Sequence, residues 1–67
     1  MKRNEKINMI LDYESGELPA EDTLKLFAEL IRTGQAWSLQ GNYGRTAQGL
    51  IEGGYISKEG KIKGGEL

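Results

Sequence analysis

Apolar residues recur at helical spacing in three stretches of the chain. Ile7, Ile10 and Leu11 stand at i, i+3 and i+4, the stripe of an amphipathic helix. Asn4 can cap this helix, and Glu5 is favourable in its first turn. Ser15-Gly16 supplies the stop, because glycine takes the left-handed conformation that a helix C-terminus favours. The spacing predicts a helix over about residues 4–14. Pro19 suits the first turn of a second helix, where its missing N–H costs nothing. Leu24, Leu26, Phe27, Ala28, Leu30 and Ile31 cover an arc of roughly 200° on that helix. Glu21, Asp22, Lys25, Glu29 and Arg32 fill the opposite arc, with i, i+4 charge pairs on the wet side. So wide an apolar arc predicts packing from two directions, and Gly34 ends the helix.

The third stretch runs through Ala36, Leu39, Gln40, Tyr43, Ala47, Leu50 and Ile51. Gly41 and Gly44 interrupt it, each costing about 1 kcal/mol relative to alanine inside a helix. One helix over about 35–52 is compatible with the spacing. A short helix near 35–40, a turn at Gly41-Asn42 and a helix from Tyr43 to Glu52 capped by Asn42 fits better. Gly53-Gly54 closes either version. Beyond it, Tyr55 to Ile62 reads as two short extended arms around Glu59-Gly60, although an Asn-Gly or Asp-Gly turn would be a stronger signal. The expected fold is therefore mainly α, a three-helix small domain with a short C-terminal β-hairpin, winged-helix-like in order. It occupies residues 1–63 and leaves a frayed tail at 64–67.

Sixty-seven residues form one domain with a marginal core, because a chain this short buries only about 60% of its unfolded surface. The sequence has no Cys and no His. Disulfides, thiolate or imidazole metal sites and Cys- or His-based catalysis are thereby excluded, and no cofactor is expected. Oligomerisation or docking on a partner remains as a source of extra burial. The net charge of −1 gives no global attraction to nucleic acid or anionic lipid. No apolar run approaches the roughly 18 residues of a membrane span, and the first residues do not read as a signal peptide. A soluble, intracellular protein is expected.

Charge distribution singles out one segment. Between Arg32 and Glu52 the only charged residue is Arg45, and this stretch holds the single Trp and one of three Tyr. Trp, Tyr and Arg dominate binding hot spots. Trp37 and Tyr43 can complete the core beside Phe27, or they can stand with Arg45 as an exposed anchor set; Trp37 fits both roles. A homodimer through the stretch would supply missing core. At helical spacing Ala36, Leu39, Tyr43, Ala47, Leu50 and Ile51 point inward, leaving Gln35, Ser38, Asn42, Arg45, Thr46 and Gln48 exposed.

Other constellations carry less. Asp12, Glu14 and Glu17 do not match a calcium loop, since the positions that need a third ligand, glycine and the closing glutamate are Gly16, Glu17 and Thr23. Gly41 to Thr46 lacks the lysine of a phosphate-binding loop. A winged-helix DNA reader would offer Asn42, Tyr43, Arg45, Thr46, Gln48 and Gly49 to DNA, where Asn, Gln and Arg are the usual base readers. Phosphate contacts, however, need more cations than Arg45, Lys58, Lys61 and Lys63 supply.

The run Thr33-Gly34-x-Ala36-Trp37-x-Leu39-Gln40-Gly41-x-Tyr43-Gly44-Arg45 is the most distinctive in the chain. With Tyr13-Glu14-x-Gly16-Glu17-Leu18 before it and Leu50-Ile51-Glu52-x-Gly54-x-Ile56 after it, the chain resembles a group of very small proteins encoded by tailed bacteriophages. The resemblance implies a phage origin and expression in the bacterial cytoplasm, and it carries no catalytic residues. The expected function is that of a non-enzymatic accessory protein that binds another protein, host or phage, such as a host enzyme or defence factor. Its partner-binding residues would be Trp37, Gln40, Asn42, Tyr43, Arg45 and Gln48. DNA binding is the alternative.

Overall fold

A computed structural model of the chain describes residues 2–39 and 41–63. It contains α1 (Arg3–Glu14), α2 (Ala20–Thr33), a 3-10 turn (Gln35–Trp37) and α3 (Tyr43–Glu52). Gln40 and the tail at 64–67 lie outside the described residues. Among the described residues, no helix is long and apolar enough to cross a membrane.

The core is built around α2, whose Leu26, Phe27, Ala28, Leu30 and Ile31 are all buried. Burying large aliphatic and aromatic side chains stabilises by about 1.5–3 kcal/mol each. Helix α1 and the 3-10 turn both pack on α2, whose wide apolar arc offers room for more than one neighbour. Ala36, Tyr43, Ala47 and Ile56 complete the buried set. Its centre is a triangle of rings, one from each helix. Tyr13 meets Phe27 edge-on at 5.2 Å between centroids, and Phe27 stacks on Tyr43 at 5.9 Å. Tyr13 and Tyr43 close the triangle at 5.5 Å. Such pairs add about 0.5–1.5 kcal/mol beyond the area they bury.

The Tyr43 hydroxyl emerges at the edge of this triangle and donates a 2.7 Å hydrogen bond to Glu14 Oε2. It thereby ties the start of α3 to the end of α1. Burial, reinforced by the adjacent carboxylate that the hydroxyl already serves, pushes the Tyr43 phenol well above the ordinary tyrosine range.

Helix α1 is rotated relative to the stripe expected for it. Met9, Ile10 and Tyr13 pack on the core, whereas Ile7 and Leu11 are exposed. Tyr13 is the reason. Burying its ring against two others outweighs burying Ile7 and Leu11, and these groups cannot all face inward on one helix. The start also differs. Lys2 rather than Asn4 holds the cap position, and its backbone N–H donates to Glu5 Oε1 at 3.0 Å.

The segment after α2 divides as the glycines suggest. The expected helix near 35–40 is reduced to the 3-10 turn, and Gly41, at φ 84°, turns the chain out of helical geometry. Asn42 takes the cap position of α3, but its side chain makes no capping hydrogen bond.

The C-terminal β-hairpin is not formed. The arms meet at a single bridge, Ile56 with Ile62, flanked by the Ser57 N–H to Lys61 O and Lys63 N–H to Tyr55 O hydrogen bonds. No strand is present among the described residues, and the wing of a winged helix is absent with it. A hairpin this short has too little ladder to stand by itself, and docking on the helices shapes the segment instead. The Gly54 N–H to Ile51 O and Tyr55 N–H to Leu50 O bonds close α3 and deliver Ile56 into the core, fully buried. Gly60, at φ 89°, then lies directly on α2. A Cβ added there would come within 2.5 Å of the Ala28 carbonyl oxygen and 2.8 Å of the Arg32 Cβ.

Three stability measurements check this account. Phe27→Ala removes the fully buried ring of the triangle and is expected to cost about 3–5 kcal/mol, enough to unfold most of a domain this small; urea or thermal melting followed by circular dichroism reads it. Gly60→Ala combines a disfavoured φ with a clash against α2 backbone and is expected to lower stability by more than about 1 kcal/mol. In a free turn the loss would be limited to the φ term. Tyr43→Phe is expected to cost about 1 kcal/mol at neutral pH. The folded phenol holds its proton more tightly than the unfolded one, so its contribution is complete below the ordinary value of 10.0 and is lost as pH rises above it. Melting curves of the wild type should fall above pH 10 more steeply than those of Tyr43→Phe.

Candidate functional site

The segment from Gly34 to Gln48 presents an indole on an ordered turn. The 3-10 turn is closed by the Trp37 N–H to Gly34 O bond at 3.3 Å and the Ser38 N–H to Gln35 O bond at 3.0 Å. A turn of three residues per revolution sends successive side chains in different directions. Ala36 is fully buried and Leu39 packs on the core, so Trp37 is directed outward and remains 51% exposed. Its ring does not hang free. A Cβ built on Gly44 would lie 3.7 Å from Trp37 Cε3 and 3.5 Å from the Ala36 carbonyl oxygen, both ordinary contacts. The indole thus lies beside Gly44 on the first turn of α3.

Around this ledge α3 places its polar residues. Tyr43 and Ala47 are buried, with Leu50 and Ile51 packed on the core, which leaves Arg45 and Gln48 on the exposed arc and Asn42 exposed just before the helix. Gln48 stands one turn beyond Gly44 and donates from Nε2 to Glu52 Oε2 at 3.0 Å. Among the described residues Arg45 makes no hydrogen bond or ion pair; the one salt bridge there is Arg32 with Glu29 on α2. The ledge thus combines an apolar ring, an uncommitted guanidinium and two amides.

The six residues expected to bind a partner are therefore not one surface. Trp37, Asn42, Arg45 and Gln48 are exposed. Tyr43 is a core residue, 5% exposed, with its hydroxyl committed to Glu14; a partner could reach it only by opening the core. Gln40 lies outside the described residues. Arg45 is the one titratable side chain among the exposed described residues of the ledge.

A second feature was not legible from spacing. An open groove of about 360 Å³ lies between α1 and the start of α2, with Met9, Leu18 and Pro19 as its apolar floor. Glu5, Asp12, Asp22 and Lys25 stand around it. Its residues come from three separate segments, and only the crossing of α1 over α2 brings them together. No group of three or more carboxylates close enough to hold a metal ion occurs among the described residues.

A family model described as Domain of unknown function (DUF7417) matches residues 1–66. No curated protein and no solved structure matches the chain. The match takes in all but the last residue, and it spans the aromatic triangle and the Trp37 ledge alike: the chain belongs to the DUF7417 family.

Proposed function

We propose that this protein is a non-catalytic accessory protein of a tailed bacteriophage that works in the bacterial cytoplasm by binding another protein through the Trp37 ledge. The observation that carries this is the half-exposed indole, held on an ordered turn against Gly44 within the most charge-poor stretch of the chain. A tryptophan fixed in place before binding loses little rotamer freedom when a partner covers it. Trp and Arg are the side chains most often found at the centre of protein interfaces, and Arg45 is free to pair with a carboxylate there. The lack of Cys and His supports a binding role over catalysis. The phage assignment rests on resemblance in the run from Thr33 to Arg45, which is also where the ledge is built. A host enzyme or defence factor is the class of target that such a protein would serve.

Tagged wild-type protein and the Trp37→Ala and Arg45→Ala variants, recovered from infected cells, test the proposal. Trp37→Ala should keep its helical signal and melting temperature close to wild type, since half of the ring is already exposed. It should bind the recovered partner at least about tenfold more weakly, the loss expected of a hot-spot residue, and crosslinks to the partner should map to 35–48. Undiminished binding and undiminished effect on the host in both variants would overturn the assignment of the site. A salt-dependent shift of duplex DNA, lost in Arg45→Ala, would overturn the choice of a protein partner.

A further inference from the structure

Helix α1 buries no residue completely, in contrast to α2 and α3. On its outer side Ile7 is 48% and Leu11 56% exposed, one helical turn apart and on the same face. At 100° per residue, Arg3, Ile7, Leu11 and Glu14 fall within an arc of about 80°. The stripe is thus two aliphatic side chains closed by a cation at one end and a carboxylate at the other. Arg3 makes no ion pair among the described residues. Glu14 is held at the end of the stripe by the Tyr43 hydroxyl on Oε2, and its second oxygen is left to accept a further donor.

This order of residues is self-complementary in one direction only. If a second α1 lies antiparallel, with a two-fold axis crossing at Met9, Ile7 meets Leu11 of the partner subunit directly and Arg3 comes within one residue, about 1.5 Å along the helix, of Glu14 of the partner subunit. Both pairs repeat through the symmetry, as an isologous interface requires. The two helix dipoles also oppose each other. A parallel pairing would set Arg3 against Arg3 and Glu14 against Glu14. We propose that the outer face of α1 is a self-association surface on which a second copy of this chain packs antiparallel. The stripe shares no residue with the Trp37 ledge, so this inference does not rest on the function proposed above. The interface is small, and the dimer is expected on the order of tens of micromolar.

Sedimentation equilibrium of the full chain at low salt, over roughly 10 µM to 1 mM, tests it. The wild type should dimerise with concentration, and Ile7→Asp, at an exposed position, should stay monomeric and folded. Arg3→Glu and Glu14→Arg should each weaken association about tenfold, because two attractive pairs become repulsive. Mixed in equal amounts, these two variants should form a heterodimer of near wild-type affinity, since each then faces its opposite charge. Circular dichroism confirms that Glu14→Arg, which loses the Tyr43 contact, remains helical; if it does not, Arg3→Glu and Ile7→Asp alone decide the result. A monomeric wild type, or a dimer indifferent to Ile7→Asp, would overturn the proposal. Folded single-charge variants that do not recover on mixing would overturn the antiparallel register. Loss of the dimer in Trp37→Ala would place the interface on the ledge and overturn it as well.

Discussion

Phe27 meets two tyrosines from other helices in a closed triangle, and the rest of the structure follows from accommodating those three rings. A chain of 67 residues has few large side chains with which to exclude water, and rings bury the most area per residue. Tyr13, Phe27 and Tyr43 come from α1, α2 and α3 in turn, so one cluster fixes all three helices at once. The hydrogen bond from Tyr43 to Glu14 satisfies the hydroxyl that Tyr43 brings to the edge of the core. Buried polar side-chain atoms without a partner are absent among the described residues, as expected of a core whose polar edge is paired.

The triangle has consequences at a distance. By taking Tyr13 inward it turns Ile7 and Leu11 outward, which gives α1 an apolar stripe on a surface that spacing alone would have left polar. By taking Tyr43 inward it sets the phase of α3, so that Gly44 falls beside the 3-10 turn and Arg45 and Gln48 face solvent. The indole of Trp37 then rests on Gly44 and stays half exposed. Core formation and surface presentation are thus the same decision. Once three aromatics of a short chain are committed to the centre, the indole has a support but stays half exposed.

The helices were legible because their signals are local. The apolar arc of α2, the stop at Gly34 and the helix from Tyr43 to Glu52 depend on periodicity and on glycines within a few residues of the boundary. The phase of α1 was not legible, because Ile7, Ile10 and Leu11 form as good a stripe as Met9, Ile10 and Tyr13 until the partners of Tyr13 are known. The segment from Tyr55 to Ile62 misleads for a related reason. Alternation around Glu59-Gly60 resembles a hairpin, but Gly60 is needed for close approach to the backbone of α2, a contact with a residue some thirty positions away. Within the candidate site, helical spacing already turned Tyr43 inward and Asn42, Arg45 and Gln48 outward, whereas the fate of Trp37 did not follow from it.

The amino-acid sequence by itself determined a mainly α-helical chain, the extent of two of its three helices, the exclusion of Cys- and His-based chemistry and the unusual character of residues 33–51. These depend on residue type and short-range spacing, which act before any long-range contact forms. Tertiary structure decided which face of α1 is left open, that the last segment docks on α2 instead of pairing as strands, and that Trp37 is presented at the surface. Burial is a competition among all apolar groups in the molecule for one small interior. Its outcome depends on the volume and shape available there, which no single stretch of sequence contains.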